Sequence, residues 1–154
     1  MQIRLSYASK YIDNHKYNLL EDLREILVKA RTRNANQTIC GVLYYAEGNF
    51  FQCLEGEESR VKELYQDICN DSRHRIVKYF GAHEINQSVF SQWSMKYVGI
   101  NSTIKKFLVC EGIQSSNFEY LSENQLNTLI ELLRRENSLS EDKVKNNRDY
   151  SHYF

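Results

Sequence analysis

Proline is missing from the whole 154-residue chain, glycine occurs six times and tryptophan once. The missing proline carries no functional reading. The few glycines say more, because none falls into a Gly-x-Gly-x-x-Gly fingerprint, a Gly-rich loop closing on Gly-Lys-Ser/Thr, or a Gly-x-Ser-x-Gly turn. The common phosphate cradles and the hydrolase elbow are therefore absent, which argues against a dehydrogenase or an NTPase. An excess of one charge is missing too. Lys and Arg number 20 and Asp and Glu number 20, so no long-range field gathers the molecule onto a polyanion, and direct nucleic-acid binding is not expected. Apolar runs such as residues 42–45 fall far short of the ~20 residues that cross a bilayer, and the N-terminus has no charged-then-apolar leader. The expectation is a cytoplasmic protein without membrane contact. Cys40, Cys53, Cys69 and Cys110 form no close pair, and no histidine stands at ligand spacing. Zinc templates and a disulfide framework are both disfavoured, no metal is expected, and each cysteine reads as a small buried hydrophobe.

What is present is a core. Hydrophobic residues make up 42% of the chain, enough to close one domain. Ile3, Leu5 and Tyr7 alternate with Arg4, Ser6 and Ala8, the period of a strand, predicted to end about Ser9. Asn18 and Glu21 make a capping box opening a helix with Leu19, Leu23, Ile26, Leu27 and Ala30 on one stripe, predicted to stop about Arg33. Residues 38–45 and 50–54 are apolar on both faces and flank Ala46-Glu47-Gly48-Asn49, which reads as a hairpin of covered central strands. A second helix from about Glu57 turns Val61, Leu64, Tyr65 and Ile68 inward and ends near Asn70-Asp71-Ser72. Further strands are predicted over residues 76–85 and 94–100. This order is that of a ferredoxin-like α+β domain, βαββαβ, with two helices on one face of the sheet, occupying residues 1–100. A C-terminal helical hairpin follows over residues 101–136, one helix at 103–110 and a second behind the capping box Ser122–Gln125 with Leu126, Leu129, Ile130 and Leu133 inward. Its stripe should cover the open sheet face or a second subunit. Residues 137–154 read as a flexible polar tail.

Several polar and aromatic residues sit where a plain fold would hold aliphatics. Gln52 lies mid-strand in Phe50-Phe51-Gln52-Cys53-Leu54. A buried amide without a partner costs about 1–3 kcal/mol, so an inward Gln52 needs one; the plain alternative is an exposed glutamine at a sheet edge. Tyr7 shares the inward face of Ile3 and Leu5 and needs a partner for its hydroxyl, or is simply a core tyrosine. Asn34 stands where the first helix is predicted to stop, the place of a left-handed cap. Trp93 and Met95 read as core at the start of the last strand. His74, between Arg73 and Arg75, reads as a solvated loop or a modest anion site.

In order and spacing these pieces resemble the BLUF family, sensors of blue light using FAD. The resemblance rests on Tyr7, on Arg33-Asn34-Ala35, on Cys40-Gly41-Val42-Leu43-Tyr44-Tyr45 with Gly48, and on Phe50-Phe51-Gln52-Cys53-Leu54-Glu55-Gly56. Asp71-Ser72-Arg73-His74 and Trp93-Ser94-Met95 complete it. It implies FAD held between the first two helices, with Ile26 packing on the ring, Asn34 at the ring's carbonyl and amide side, and Arg33, Arg73 and His74 toward the phosphates. It further implies that Gln52 bridges Tyr7 and the flavin. Excited flavin takes an electron and a proton from Tyr7, and when charge returns Gln52 is left rotated or as its tautomer. Trp93 and Met95 then carry the change to the helices after Thr103. One strand would place both on the same side, and a bulge would separate them. The expected output is a downstream protein partner, with a transcriptional regulator one candidate, or self-association into a homo-oligomer. No kinase, cyclase or phosphodiesterase domain fits in the last ~50 residues, so a signalling protein rather than an enzyme is expected.

Two rivals come from other classes. An acylphosphatase-like enzyme would use Arg33 or Arg31 with Asn34, but no matching loop signature is present. A ferredoxin-like binding module without photochemistry would take a peptide or single-stranded RNA on its sheet, for which 11 Tyr and 7 Phe are suited and the neutral charge is not.

Overall fold

The computed structural model describes residues 1–12, 19–99, 101–114 and 116–136. The capping residue Asn18, the polar stretch beside it and the tail at 137–154 lie outside the described residues.

Strand β1 (Gln2–Tyr11) outruns the predicted end at Ser9. Lys10 and Tyr11 stay in the sheet because Lys10 pairs with Asn49 on one side and Arg75 on the other, and Tyr11 with His74. Helix α1 (Leu19–Gln37) also runs on, by about a turn past Arg33. Asn34 is therefore a helical residue and not the left-handed cap its position suggested. Thr38 takes that conformation instead (φ 56°), and the turn closes as Ile39 N–H donates to the Asn34 carbonyl at 2.9 Å, delivering Ile39 into the core. Strands β2 (Cys40–Ala46) and β3 (Asn49–Glu57) form the predicted hairpin. Its two connecting residues, Glu47 (φ 52°) and Gly48 (φ 79°), both have positive φ, the twist that lets adjacent strands pair without splaying.

Helix α2 (Glu58–Cys69) starts at a Glu57 side-chain cap and stops at Asn70. Strand β4 (His74–Glu84) follows, and β5 (Lys96–Val98) is only three residues long. The expected strand over 94–100 is shortened because residues 93–95 bend and give their carbonyls to other elements: Gly41 N–H donates to Trp93 O at 3.2 Å, Asn34 Nδ2 to Ser94 O at 2.8 Å, and Arg31 Nε to Met95 O at 3.0 Å. Helices α3 (Ser102–Cys110) and α4 (Glu123–Arg135) end the described chain, α4 opening with the reciprocal Ser122–Gln125 capping box.

The sheet order is β4-β1-β3-β2-β5, antiparallel except for the parallel β2–β5 pair. This is the ferredoxin-like α+β sheet with one added edge strand. Because strand side chains alternate faces, the apolar residues of β2 and β3 feed two cores. On one face Leu5, Tyr7, Leu43 and Leu54 meet Leu23 and Leu27 of α1 and Val61 and Leu64 of α2. On the other, Val42, Tyr44, Phe51 and Cys53 meet Ile104, Leu108, Leu129 and Leu133 of the helical hairpin. The hairpin covers the open face within the same chain, so the rival that binds RNA or peptide on a bare sheet finds no such face.

Candidate functional site

The site is a row across the sheet. Tyr7 on β1 stands opposite Gln52 on β3, which stands opposite Leu43 on β2, which stands opposite Tyr97 on β5. All face α1 and α2. Gln52 is 5% exposed and Tyr7 3%, so the choice between an edge glutamine and an inward one falls to the inward. Its partner is at hand, since the Tyr7 hydroxyl donates to Gln52 Oε1. The other end of the amide, Nε2, donates to Met95 Sδ at 3.5 Å, a weak acceptor. Burial, reinforced by nearby Tyr65, Cys69 and Asp71, holds the Tyr7 phenol well above its usual pKa, so it keeps its proton at any ordinary pH.

Above this row, between α1 and α2, opens a cleft of about 200 Å³. Tyr7, Gln52 and Met95 form its floor, and Ile26, Lys29, Arg33, Asn34, Arg73 and His74 belong to its lining. The volume is below the roughly 300–1,000 Å³ that encloses a drug-sized ligand, so it suits a ring system whose remainder runs out along the surface. Asn34 is fully buried at its edge. Its Nδ2 is engaged by Ser94, but its Oδ1 has no hydrogen-bond partner among the described residues. An orphaned buried carbonyl costs stability unless a donor arrives, and a flavin ring edge carries an N–H of the required kind. The residues present therefore fit the group.

At the polar mouth of the cleft three cations are each paired with a carboxylate. Arg33 is paired with Asp67. Arg73 grips Asp71 with Nη2 to Oδ2 at 2.6 Å, which raises the arginine's pKa and lowers the aspartate's. Lys29 meets Glu25 at 2.7 Å. His74 has both ring nitrogens engaged, Nδ1 with Ser9 Oγ at 2.9 Å and Nε2 with the Ile68 carbonyl at 2.7 Å. An anion arriving there competes with these carboxylates for Arg33 and Arg73, and meets a histidine already tied to β1 and α2. Arg31 and Asn34, invoked for an acylphosphatase-like site, both reach the bend at 94–95 instead.

Trp93 and Met95 part company. Met95 lies in the core under α1 and α2, while Trp93 packs with the opposite core, its ring 4.2 Å from Lys96 Nζ. Lys96, buried on β5, reaches across to the Arg134 carbonyl of α4 at 2.8 Å, and burial lowers its pKa. The bend thus presents one residue to the cleft and its neighbours to the C-terminal helices.

Glu55 was not singled out by sequence reasoning. It is fully buried, takes Arg4 Nη2 at 2.6 Å, and accepts from the backbone of Val89 at 3.0 Å and Phe90 at 3.1 Å as well as from Ser88. It fastens the segment leading to Trp93 and Met95 onto the strand that carries Gln52. The available signal was a carboxylate inside an otherwise apolar strand, which must have partners. Lys96 in the short run Lys96-Tyr97-Val98 gave the same signal.

The family profile "Sensors of blue-light using FAD" matches residues 2–96. The chain is 36% identical over 74 residues to the blue light- and temperature-regulated antirepressor BluF of Escherichia coli (strain K12), covering 48% of this chain and 18% of that one. It is 28% identical over 134 residues to the photoactivated adenylate cyclase subunit alpha of Euglena gracilis, covering 82% of this chain and 13% of that one. The chain thus spans less than a fifth of the length of these curated relatives. Among solved structures, BlsA in its photo-activated state is 39% identical with a TM-score of 0.86, covering 91% of this chain and 99% of that one. The BlsA ground state gives 39% and 0.87, with coverage of 92% and 93%.

Proposed function

The chain belongs to the BLUF family, sensors of blue light using FAD, and from that premise we propose that Tyr7 and Gln52 are its light switch and Met95 its first reporter. The observation that carries this reading is the buried Tyr7–Gln52–Met95 chain of hydrogen bonds on the floor of a cleft whose Asn34 Oδ1 awaits a donor. Bound FAD supplies the blue absorption and, when excited, a one-electron acceptor. Asn34 orients the ring edge and Ile26 covers its face. Arg33, Arg73 and His74 form the phosphate side, His74 by holding the wall in place.

In the dark Tyr7 donates and Gln52 accepts. Tyr7 would give up an electron and its proton, and when both return the amide of Gln52 would be left turned or as its tautomer, with its hydrogen bond to Tyr7 rearranged. The turn withdraws Nε2 from Met95 Sδ. A thioether acceptor holds the amide weakly, so the dark arrangement can be left at low cost. A bias of about 1.4 kcal/mol shifts a two-state bend tenfold. Met95 in the bend and Lys96, the first residue of β5, are chain neighbours that turn to opposite cores, so a shift of the bend reaches α4 through the Arg134 carbonyl.

The protein is read as a signalling protein and not an enzyme. The chain is similar to an antirepressor and to a cyclase subunit, proteins of different output, which favours light sensing over catalysis as the task of the shared part. The residues 1–100 are the sensor and 101–136 the output surface. Its target is another protein, a transcriptional regulator being favoured by the antirepressor relative, or a second copy of this chain, in the cytoplasm. No helix of the described residues is long and apolar enough to cross a membrane.

The test is spectroscopic. Purified protein loaded with FAD should show flavin absorption that moves reversibly to the red in blue light. Tyr7→Phe should still bind FAD but lose the shift, and by leaving Gln52 Oε1 without its donor should cost about 1–3 kcal/mol in urea unfolding. A parent protein that stays colourless with FAD, or a Tyr7→Phe variant that still shifts, would sink the proposal.

A further inference from the structure

Tyr7 is not the last aromatic ring on its side of the sheet. The Tyr65 ring of α2 lies 5.3 Å from it, centroid to centroid, and the Tyr79 ring of β4 is stacked on Tyr65 at 5.2 Å with 29° between planes. Tyr7 is buried, whereas Tyr79 is 47% exposed. Three phenols thus run in ring contact from the floor of the cleft to water. The chain's single tryptophan takes no part in this, since Trp93 packs in the opposite core beneath the Lys96 ammonium.

We propose that Tyr65 and Tyr79 are an electron-entry route from the surface to photo-oxidised Tyr7, giving the protein a second, light-driven activity: one-electron oxidation of small thiols at Tyr79. The inference rests on the switch reading above, with photoexcited flavin as the oxidant of Tyr7. When Tyr7 has lost its electron and still shares its proton with Gln52, Tyr65 passes an electron to it, and Tyr79 passes one to Tyr65. Each step is proton-coupled: the reduced ring regains a proton, Tyr7 from its shared bond with Gln52, and the oxidised ring releases its own, so that a neutral phenoxyl moves one place outward. Tyr79, 47% exposed, is the wet end of the route, where the oxidised phenol sheds its proton to water, and Tyr65 stands part-buried between it and Tyr7. The resulting Tyr79 phenoxyl takes a hydrogen atom from a thiol, and two thiyl radicals couple to a disulfide. The electron remains on the flavin, so each such event removes a molecule from the reversible cycle. Rings at these separations are close enough to exchange electrons, and the released proton is better solvated at the wet end than in the interior.

The test uses the full chain loaded with FAD, illuminated with blue light without oxygen in the presence of a nitroso spin trap, then digested and mapped by mass spectrometry. The trap adduct is expected on Tyr79. Tyr65→Phe should abolish the Tyr79 adduct while the reversible red shift persists, and Tyr65→Trp, which keeps an oxidisable ring, should restore it. An adduct on Tyr79 that survives Tyr65→Phe, or a parent protein that shifts to the red but carries its adduct on Cys69 or nowhere, overturns the route and leaves the switch standing. A parent protein with no red shift at all removes the switch, and the route with it.

Discussion

Asn34 shows how much one amide settles. Its Nδ2 ties the carbonyl of Ser94, one residue from Met95, while its Oδ1 is buried without a hydrogen-bond partner among the described residues, in a side chain that belongs to the cleft lining. A ligand that donates to this oxygen is thereby in mechanical contact with the reporting bend. Asn34→Ala removes both bonds. The loss of a buried acceptor is worth about 1.5–3 kcal/mol, so FAD affinity, followed by quenching of flavin fluorescence on binding, should fall by about ten- to a hundredfold. An unchanged affinity would mean that the ring does not lie against Asn34. The other cleft residues divide by how committed they are. Gln52 is held at one end by a phenol and at the other by a sulfur, and can turn; His74 is held at both ring nitrogens by oxygen, and cannot turn without breaking the β1–α2 join.

Strand β3 is the element on which the site depends. Gln52 points from it into one core, Cys53 into the other, and Glu55 fastens the segment before Trp93. Glu55→Gln halves what the carboxylate can accept and leaves Arg4 facing a neutral group. Removing one partner of a buried pair costs about 3–5 kcal/mol, and the lower end is expected because Arg4 is partly exposed. Amide hydrogen exchange at Val89 and Phe90 should accelerate more than elsewhere; uniform protection across the chain would argue against the clasp. The β2–β3 pairing is equally demanding at Gly41, where a Cβ would lie 2.2 Å from the Cys53 carbonyl oxygen. Since that obstacle is backbone, Gly41→Ala must spread the two strands. It is expected to destabilise by about 1–3 kcal/mol or more, measured by urea unfolding.

At the scale of the whole molecule, two cores share one sheet, and both bury titratable groups in their neutral forms. Burial pushes Cys53 and Tyr45 up to about 12, and Tyr44 and Tyr7 upward as well. In the unfolded chain a cysteine ionises near pH 8.5 and a tyrosine near 10, so above about pH 9 the folded state holds more protons. Stability should therefore be level through neutral pH and fall as the pH climbs toward 12, by about 1.4 kcal/mol per pH unit for each group. Urea midpoints measured across that range check this; a midpoint unmoved at about pH 11 would contradict the dry double core. The sharing of β2 and β3 by both cores also explains how a change on the cleft side can reach α3 and α4 without a hinge, because the same strands floor one and wall the other.

The sequence by itself determined what is periodic or local. The alternation around Tyr7, the stripe of α1, the Glu47-Gly48 turn and the Ser122–Gln125 box all appear in the structure because each depends on neighbours within a few residues. Resemblance of the motif strings supplied the family and the cofactor. Tertiary structure alone decided which way Gln52 faces, where α1 stops and how Trp93 and Met95 separate. The first and last rest on bonds between distant segments, Tyr7 to Gln52 and Gly41, Asn34 and Arg31 to three successive carbonyls, while α1 stops where the chain reverses at Thr38 to carry Ile39 into the core. Spacing along a chain encodes the face a residue occupies within its own element. It does not encode which partner waits there, and for a buried polar group the partner determines the role.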